Sequence, residues 1–96
     1  MLNQTVLVGR LVENPKVEND KRVIITLAIP RSYKNKDGEY DTDFISCVLW
    51  NGVAESTTEY CKKGDLLGVK GRLQNRENLT EVVVEKITFL SKENKS

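Results

Sequence analysis

Apolar and polar residues alternate along much of this chain, and the alternation predicts β-strands. In a strand, successive side chains point to opposite faces, so residues two apart share a face. One face of the segment KRVIITLAIP carries four apolar residues, Val23, Ile25, Leu27 and Ile29. Comparable segments recur along the chain and predict five strands, at residues 3–12, 21–30, 42–50, 66–73 and 80–90. An Asp-Gly dipeptide, typical of tight turns, separates the second strand from the third.

One helix is expected to interrupt the strands. Within residues 51–63, Val53, Thr57 and Tyr60 recur at helical spacing, with Tyr60 expected to seal the helix onto the strands, and Gly64 suits a C-terminal cap. Five strands with a short helix between the third and the fourth is the order of an OB-fold, a small Greek-key barrel. A sandwich usually has more strands and no helix there. We therefore predict an all-β, five-stranded OB-fold barrel over residues 1–91, with a short polar C-terminal end at 92–96.

The third predicted strand, within DTDFISCVLW, has apolar residues on both of its faces. One face carries an ordinary core stripe, formed by Ile45, Cys47 and Leu49. The opposite face carries Phe44 and Trp50, the only Trp of the chain. Alternation alone leaves two interpretations open, since these rings are either buried, in the barrel or at a subunit interface, or displayed to a ligand. Ser46 shares their face and the core is already supplied on the other, which favours display.

Composition limits the class of protein. The 96 residues, 39% hydrophobic and 30% charged, suffice for one globular domain. The net charge is only +1, so a polyanionic partner requires that positive charge gather on one side. No apolar run is long enough to span a membrane, and the N-terminus lacks the order of a signal peptide. We expect no membrane association and a cytoplasmic, nucleoid-associated location.

The sequence gives little support for catalysis or metal binding. There is no His, the commonest general base and metal ligand. No glycine loop that could cradle phosphates is present, and Asp and Glu are scattered as surface charges usually are. Cys47 and Cys61 fit no ligand motif and are expected to be reduced, packed thiols. We predict a protein that is not an enzyme and uses neither a metal nor another cofactor.

Rings and cations are interleaved around the third strand. A single nucleic-acid strand exposes base faces and a charged backbone, so its binder combines flat apolar side chains with basic ones. The chain supplies such a mixture in Arg31, Tyr33, Lys34, Lys36, Phe44 and Trp50, and Arg10, Arg72 and Arg76 could extend the positive track. Lys34 and Lys36 are also compatible with a solvated hairpin tip, because acidic residues follow at once.

Nearly the whole chain resembles the bacterial-type single-stranded DNA-binding protein (SSB) family. The segments that carry the resemblance, in family order, are LNQTVLVGRLVENPKVE, TLAIPRSYKNKDGEYDTDFISCVLWNGVAE, EYCKKGDLLGVKGRLQ and TEVVVEKITFL. The resemblance implies an OB-fold that stacks bases of single-stranded DNA and usually forms a homotetramer. It further implies stacking roles for Tyr33, Phe44 and Trp50, and places Lys63 and Arg76 along the DNA path.

The sequence departs from the family pattern at a few places. The connection QNREN between the last two strands is short, with Asn78 where some relatives have a further stacking ring. Gly52 and Glu77 stand where relatives can carry Lys, and SKENKS ends the sequence without a spacer and an acidic tip. The expected partners are therefore single-stranded DNA and copies of the chain itself, as a homotetramer or a homodimer, without tail-mediated recruitment of repair enzymes. The alternative is an OB-fold interaction module, such as a primosome-type accessory or a protein or oligosaccharide binder.

Overall fold

The computed structural model describes residues 1–19 and 21–92. The strands are β1 (Thr5–Leu11), β2 (Lys16–Val17), β3 (Arg22–Lys34), β4 (Tyr40–Trp50), β5 (Leu66–Arg76) and β6 (Leu79–Ser91), and helix α1 (Asn51–Tyr60) lies between β4 and β5. The five long strands correspond to the five predicted ones, whereas the two-residue β2 was not predicted. Of the predicted polar end at 92–96, residues 93–96 lie outside the described residues.

The sheet closes into a barrel because β1 pairs with two neighbours. It runs antiparallel to β5 from Thr5 to Arg10, and it meets β3 at Arg10 and Leu11. From β3 the sheet continues through β4 and β6 back to β5, which completes the circuit of long strands. The β4–β6 pair is parallel, and the β3–β4 and β5–β6 pairs are antiparallel. The predicted five-stranded OB-fold with one short helix after the third long strand is confirmed.

The inward faces of the strands fill the barrel with apolar side chains. Ile25 and Leu27 of β3 are buried there, and so are Cys47 and Leu49 of β4, as their alternation predicts. Burial of a Leu or Ile side chain favours folding by about 1.5–3 kcal/mol. The core stripe predicted for the third long strand is thus confirmed, with Ile45 partly buried at its end.

Glycine is required where β5 bends against β6. A Cβ atom on Gly71 would lie 2.0 Å from the carbonyl oxygen of Val83, so no larger residue fits. The pairing register shifts at the same point, between Lys70 and Gly71. Such a bulge increases the local twist of a sheet. The irregularity in the pairing of β5 with β6 is therefore located at Gly71.

Strands β3 and β4 continue beyond the barrel as a hairpin. The sequence predicts instead that the second strand ends at residue 30 and the third begins at residue 42, with a polar connection between them. Residues 31–42 form this projecting arm, and most of its side chains are exposed. Alternation could not predict these strand ends, because an arm that covers no core has no apolar face. Asn35 organises the tip, since its Oδ1 accepts hydrogen bonds from the backbone N–H groups of Asp37 and Glu39 at 2.8 and 3.0 Å.

The helix is shorter than predicted, and two expectations about its end were wrong. It ends at Tyr60, and Gly64 lies in a separate turn with φ of 94°, where Asp65 N–H donates to the Lys62 carbonyl. A positive φ at the third position of a turn favours glycine. Tyr60 does not seal the helix onto the barrel, because its side chain is exposed, although its ring lies near that of Phe89 on β6 with centroids 6.3 Å apart. Among the described residues, no helix has the length and apolarity needed to cross a membrane.

The connection between β5 and β6 is a two-residue turn. Glu77 and Asn78 occupy it, with φ of 50° and 69°. Two positive φ values are typical of a type I′ turn, whose twist matches that of the paired strands. The strands therefore extend to Arg76 and Leu79, which face each other across the turn. This agrees with the short connection expected from the sequence.

Candidate nucleic-acid interface

The pairing register aligns outward side chains of four strands into one surface. Val48 of β4, for example, lies between Ile24 of β3 and Val83 of β6, and Val83 faces Arg72 of β5. We call this surface the outer face. Its members are Arg22, Ile24, Thr26, Ala28, Phe44, Ser46, Val48, Trp50, Arg72, Gln74, Arg76, Leu79, Glu81 and Val83.

Phe44 and Trp50 lie on the outer face and are accessible. Phe44 is 64% exposed and Trp50 is 39% exposed. Both belong to β4 and are six residues apart, which separates them by about 20 Å along a strand. Two rings this far apart cannot stack on the same base, although each could stack on a different base of one strand. Neither ring is therefore buried in the barrel of the single chain, and display to a ligand remains a prediction.

Arg22 is the residue of this surface that the sequence reasoning missed. Its guanidinium is buried, with Nε donating to Glu18 at 2.8 Å and Nη2 donating to Glu81 at 2.9 Å. Because β4 lies between β3 and β6, the side chain crosses the outside of β4 to reach Glu81. Val48 lies on that side of β4 and is fully buried. The guanidinium carbon of Arg22 also lies over the Trp50 ring, 5.6 Å from its centroid.

Glu81 anchors the other end of this arrangement. Its Oε1 accepts a hydrogen bond from Gln74 at 2.9 Å, while Oε2 accepts the one from Arg22. Burial acts to raise the pKa of Glu81, but the hydrogen bonds from Gln74 and Arg22 outweigh it and lower the pKa. The carboxylate is therefore charged at neutral pH. Arg76 joins the same group through Glu18, at 3.4 Å.

Arg31 is held by an acidic neighbour across the hairpin. Its Nε and Nη2 donate to the carboxylate of Asp43 at 3.1 and 3.0 Å, in a bidentate pair. The hydrogen bond lowers the pKa of Asp43 and raises that of Arg31. Both side chains remain accessible to solvent, so a phosphate could replace the carboxylate.

The arm carries the other predicted residues of this segment. Tyr33 is exposed beside the β3–β4 irregularity, and Lys34 places its Nζ 5.8 Å from the centroid of the Tyr40 ring. Lys36 is exposed in the turn at the tip. Asp37 follows it directly, so the tip is mixed in charge. Beside Arg31 and Tyr40, the arm therefore offers the Tyr33 ring and the cations of Lys34 and Lys36 next to the outer face.

Arg10 and Lys63 lie together at one edge of the outer face. Arg10 pairs in register with Ala28, and Ala28 pairs with Phe44, so the three residues form one row across the strands. Arg10 Nη1 donates to the Gly64 carbonyl at 3.0 Å, which fixes the guanidinium beside the turn that contains Lys63. The backbone N–H of Lys63 donates to the Asn14 side chain at 2.8 Å. Arg10 thus extends the row that begins at Phe44, and Lys63 lies in the turn beside it.

The two cysteines do not contribute to this surface. Both are buried and unpaired in any disulfide, as expected. Burial raises the pKa of Cys47 to about 12, and burial first and then Asp65 raise the pKa of Cys61 to about 11. Both thiols are therefore protonated at neutral pH. Within residues 1–19 and 21–92, no group of three or more His, Cys, Asp or Glu is arranged to hold a metal ion.

Comparison with known proteins places the barrel in a family. The model of the single-strand binding protein family matches residues 2–90. The chain belongs to this family. It is 41% identical to single-stranded DNA-binding protein B of Bacillus subtilis, with 94% of this chain and 91% of that protein covered. It is 44% identical to single-stranded DNA-binding protein A of the same organism, of which it spans 62% while 98% of this chain is covered.

A solved structure supports the fold of this SSB-family chain. The Plasmodium falciparum SSB complex with ssDNA resembles it with a TM-score of 0.77 at 22% identity, and the match covers 95% of this chain and 96% of that one. At this identity the likeness concerns the barrel itself. The resemblance to the bacterial-type SSB family predicted from the sequence is confirmed.

The structure brings the predicted site residues to one region of the SSB-family barrel. Phe44, Trp50, Arg72 and Arg76 share the outer face, and Arg10 and Lys63 lie at its edge. The other four, Arg31, Tyr33, Lys34 and Lys36, occupy the arm. Their roles in binding remain predictions. Arg22 could have been assigned to the face of Trp50 by alternation, but its partner Glu81 lies 59 residues away in the sequence.

Proposed function

We propose that this protein binds and protects single-stranded DNA with little sequence preference, in replication, recombination or repair. The observation that carries the proposal is the pair of accessible rings, Phe44 and Trp50, on one face of the barrel that also bears Arg72 and Arg76. Every base has a flat face, so stacking tolerates any sequence, while cations attract the phosphates. The relatives named above are single-stranded DNA-binding proteins, which supports the same role here.

The role proposed is binding rather than catalysis. The outer face combines rings and arginines with one carboxylate among its named members, Glu81, which is already paired with Arg22. A net charge of only +1 means that affinity depends on where the cations lie. Ten residues are proposed to contact DNA: Arg10, Arg31, Tyr33, Lys34, Lys36, Phe44, Trp50, Lys63, Arg72 and Arg76. Such a role places the protein in the cytoplasm, with the nucleoid.

The second part of the proposal is that copies of this chain associate with one another, as a homotetramer or as a homodimer. β1 pairs with β3 only at Arg10 and Leu11, so its stretch from Thr5 to Val8 has one edge free of strand pairing in the described chain. Val6 and Val8 are also exposed on this strand. A free edge with apolar side chains favours pairing with another strand. Light scattering at micromolar concentration tests this, and a result of monomer alone would contradict both versions.

The DNA-binding proposal is tested by titrating the protein with oligo-dT while following the fluorescence of Trp50. We expect quenching that saturates at a fixed ratio of nucleotide to protein. Repeating the titration at several salt concentrations should give a log–log slope of about −0.7 per phosphate contact, because only a polyanion releases condensed counterions. A duplex of the same length is the control. Equal affinity for duplex and single strand, or binding that ignores salt, would contradict the proposal and favour a protein or oligosaccharide binder.

A further inference from the structure

Trp50 has a cation over its ring, and no described residue places one over the ring of Phe44. The guanidinium of Arg22 lies over the indole, 5.6 Å from the ring centroid. A cation over an aromatic face is attracted by the negative potential of that face, and indole is the best aromatic partner for it. One of the two faces of Trp50 is therefore already occupied in the free protein.

Arg22 itself has little freedom to move. It is 5% exposed, and two nitrogen atoms of its guanidinium are held by carboxylates from different parts of the chain. Nε pairs with Glu18, and Nη2 pairs with Glu81. Its backbone N–H also donates to the Asn19 side chain at 3.0 Å. Planar, multiply bonded arginine is pre-organised in a way that lysine is not. A cation fixed in this manner can fix the ring against which it rests.

We propose that Arg22 is a positioning residue, which holds the indole of Trp50 and covers one of its faces so that a single base stacks on the other. The inference rests on the proposed function and adds to it the geometry of one stacking site. A ring that is already immobile loses less side-chain entropy when it binds, which strengthens binding without a new contact. Phe44, with no such support, binds its base from a more mobile ring.

A purely structural role would not require a charge at this position. Arg22 crosses the outside of β4 where Val48 is buried, and an apolar side chain could cover Val48 as well. Replacement of buried ion pairs by apolar residues of similar volume is often neutral or stabilising. The ion pairs with Glu18 and Glu81 therefore do not account for Arg22 by stability alone. The attraction of a cation to the Trp50 ring is what an apolar residue could not reproduce.

The test begins without DNA, on Arg22→Met, which matches the arginine stem but has no charge. We expect Trp50 emission to shift to longer wavelength and its quenching by acrylamide to increase, because the indole loses its cover. Arg22→Lys retains a cation without the fork and should lie between the two proteins in both readouts. Since Arg22→Met leaves Glu81 buried without its cation, the double variant Arg22→Met/Glu81→Gln is measured in parallel. Circular dichroism establishes which variants are folded.

The second stage measures binding of dye-labelled oligo-dT by anisotropy. Folded variants that lack the Arg22 charge should lose affinity by roughly 3- to 10-fold, the range of a partly desolvated cation–π contact. The matched control is Val69→Ala, a core change on β5 at a residue that is 2% exposed. It should lower the unfolding temperature and leave both Trp50 accessibility and affinity unchanged.

Three outcomes would overturn the inference. The first is unchanged Trp50 accessibility in the folded variants without the Arg22 charge. The second is increased accessibility together with unchanged or tighter oligo-dT binding. The third is an equal effect of Val69→Ala on Trp50, which would point to general loosening of the barrel. Failure of the proposed function is distinguishable, because the unaltered protein would then bind no oligo-dT while the DNA-free measurement still tests Arg22.

Discussion

The two faces of β4 carry residues of similar hydrophobicity in opposite environments. On the inward face, Cys47 and Leu49 are fully buried in the barrel. On the outward face, Phe44 and Trp50 expose a large part of their rings to solvent. A buried Leu stabilises the folded state because its apolar surface leaves water on folding. A ring that stays in solvent contributes far less to folding, so its benefit must come from a partner.

Val48 shows that direction and burial are separate properties. It points outward like Phe44 and Trp50, yet it is as fully buried as Leu49. The side chain of Arg22 crosses this part of β4 to meet Glu81, and it closes the surface there. On β4, the outer face is therefore exposed to solvent at Phe44 and Trp50 and buried at Val48, which lies between them. The comparison of faces predicts which substitutions affect folding and which affect binding.

The largest expected effect is on the inward face. Leu49→Ala should lower the free energy of unfolding by about 2–5 kcal/mol, because it removes buried apolar atoms and leaves a cavity. Denaturant unfolding followed by circular dichroism measures the loss. Phe44→Ala is the comparison variant and should lose much less stability. If Phe44→Ala were the more damaging of the two, the assignment of faces would be wrong.

The outward face should respond in binding. Phe44→Ala and Trp50→Ala should each weaken oligo-dT binding by about 1–3 kcal/mol, as expected for removing a base-stacking ring. Trp50→Ala should also cost some stability, because Trp50 is half-buried and rests against Arg22. Affinity is measured by anisotropy of a labelled oligonucleotide, since Trp50 itself is altered. Tyr60→Ala, which removes an exposed ring at the end of the helix, is the control and should bind normally.

Two results would contradict this prediction. Folded Phe44→Ala and Trp50→Ala proteins that bind with full affinity would exclude stacking at both rings. A loss of affinity as large in Tyr60→Ala would show that any exposed ring matters equally. Either result would remove Phe44 and Trp50 as the specific stacking site.

Val48→Ala tests the exception on the outward face. It should lower the free energy of unfolding by about 1.5 kcal/mol, because two buried carbon atoms are lost at about 0.8 kcal/mol each. Thermal and denaturant unfolding give this value, with Leu49→Ala and Phe44→Ala as the upper and lower references. A stability unchanged from the original protein would mean that Arg22 does not close the surface over β4.

The smallest effect concerns the accessible ion pair of Arg31. Asp43→Asn removes the carboxylate nearest to the Arg31 guanidinium and leaves Asp41 at 3.9 Å, so Arg31 becomes more available to a phosphate. Because exposed ion pairs contribute little, affinity for oligo-dT should rise by up to about fivefold. The salt dependence should steepen by about 0.7 in log–log slope, equivalent to one more phosphate contact. Weaker binding by this variant would indicate that Asp43 positions Arg31 for DNA instead of competing for it.

Acid should have a related effect on the unaltered protein. The pKa of Asp43 is lowered by its hydrogen bond with Arg31. A lowered carboxyl pKa contributes stability above its ordinary value near 3.8, and this contribution disappears as the pH falls through the lowered value. Asp43→Asn should therefore show a slightly weaker loss of stability below about pH 4 than the unaltered protein. Chemical unfolding between pH 2 and 6 would detect the difference.

Alternation was sufficient to predict the barrel and the faces of its third long strand. Each strand covers the core with one face, so the apolar residues of that face recur at every second position. Leu27 and Leu49 belong to such stripes and are buried as the spacing predicts. The arm was missed as strand because it covers no core and its residues are polar. Gly64 was taken for a helix cap, since a cap and a turn both favour glycine with positive φ.

The candidate site was predictable in its rings and less so in its electrostatics. Phe44 and Trp50 share a face by spacing, which any strand dictates. The pairing of Arg22 with Glu81 depends on the parallel contact between β4 and β6, and no local pattern specifies that contact. The same applies to Arg10, which reaches the row of Phe44 only because β1 closes the barrel against β3. Long-range strand pairing is therefore the information that the local sequence lacked.

Because both cysteine thiols are buried, their reaction with an alkylating reagent can be used to measure how often the folded protein opens. A thiol must be deprotonated and accessible to react with an alkylating reagent, and Cys47 meets neither condition while the barrel is closed. Its labelling rate in native buffer therefore measures how often β4 separates from its neighbours. Cys61, beside the end of the helix, reports the docking of that helix in the same experiment. The ratio of the two rates distinguishes detachment of the helix from disruption of the whole barrel.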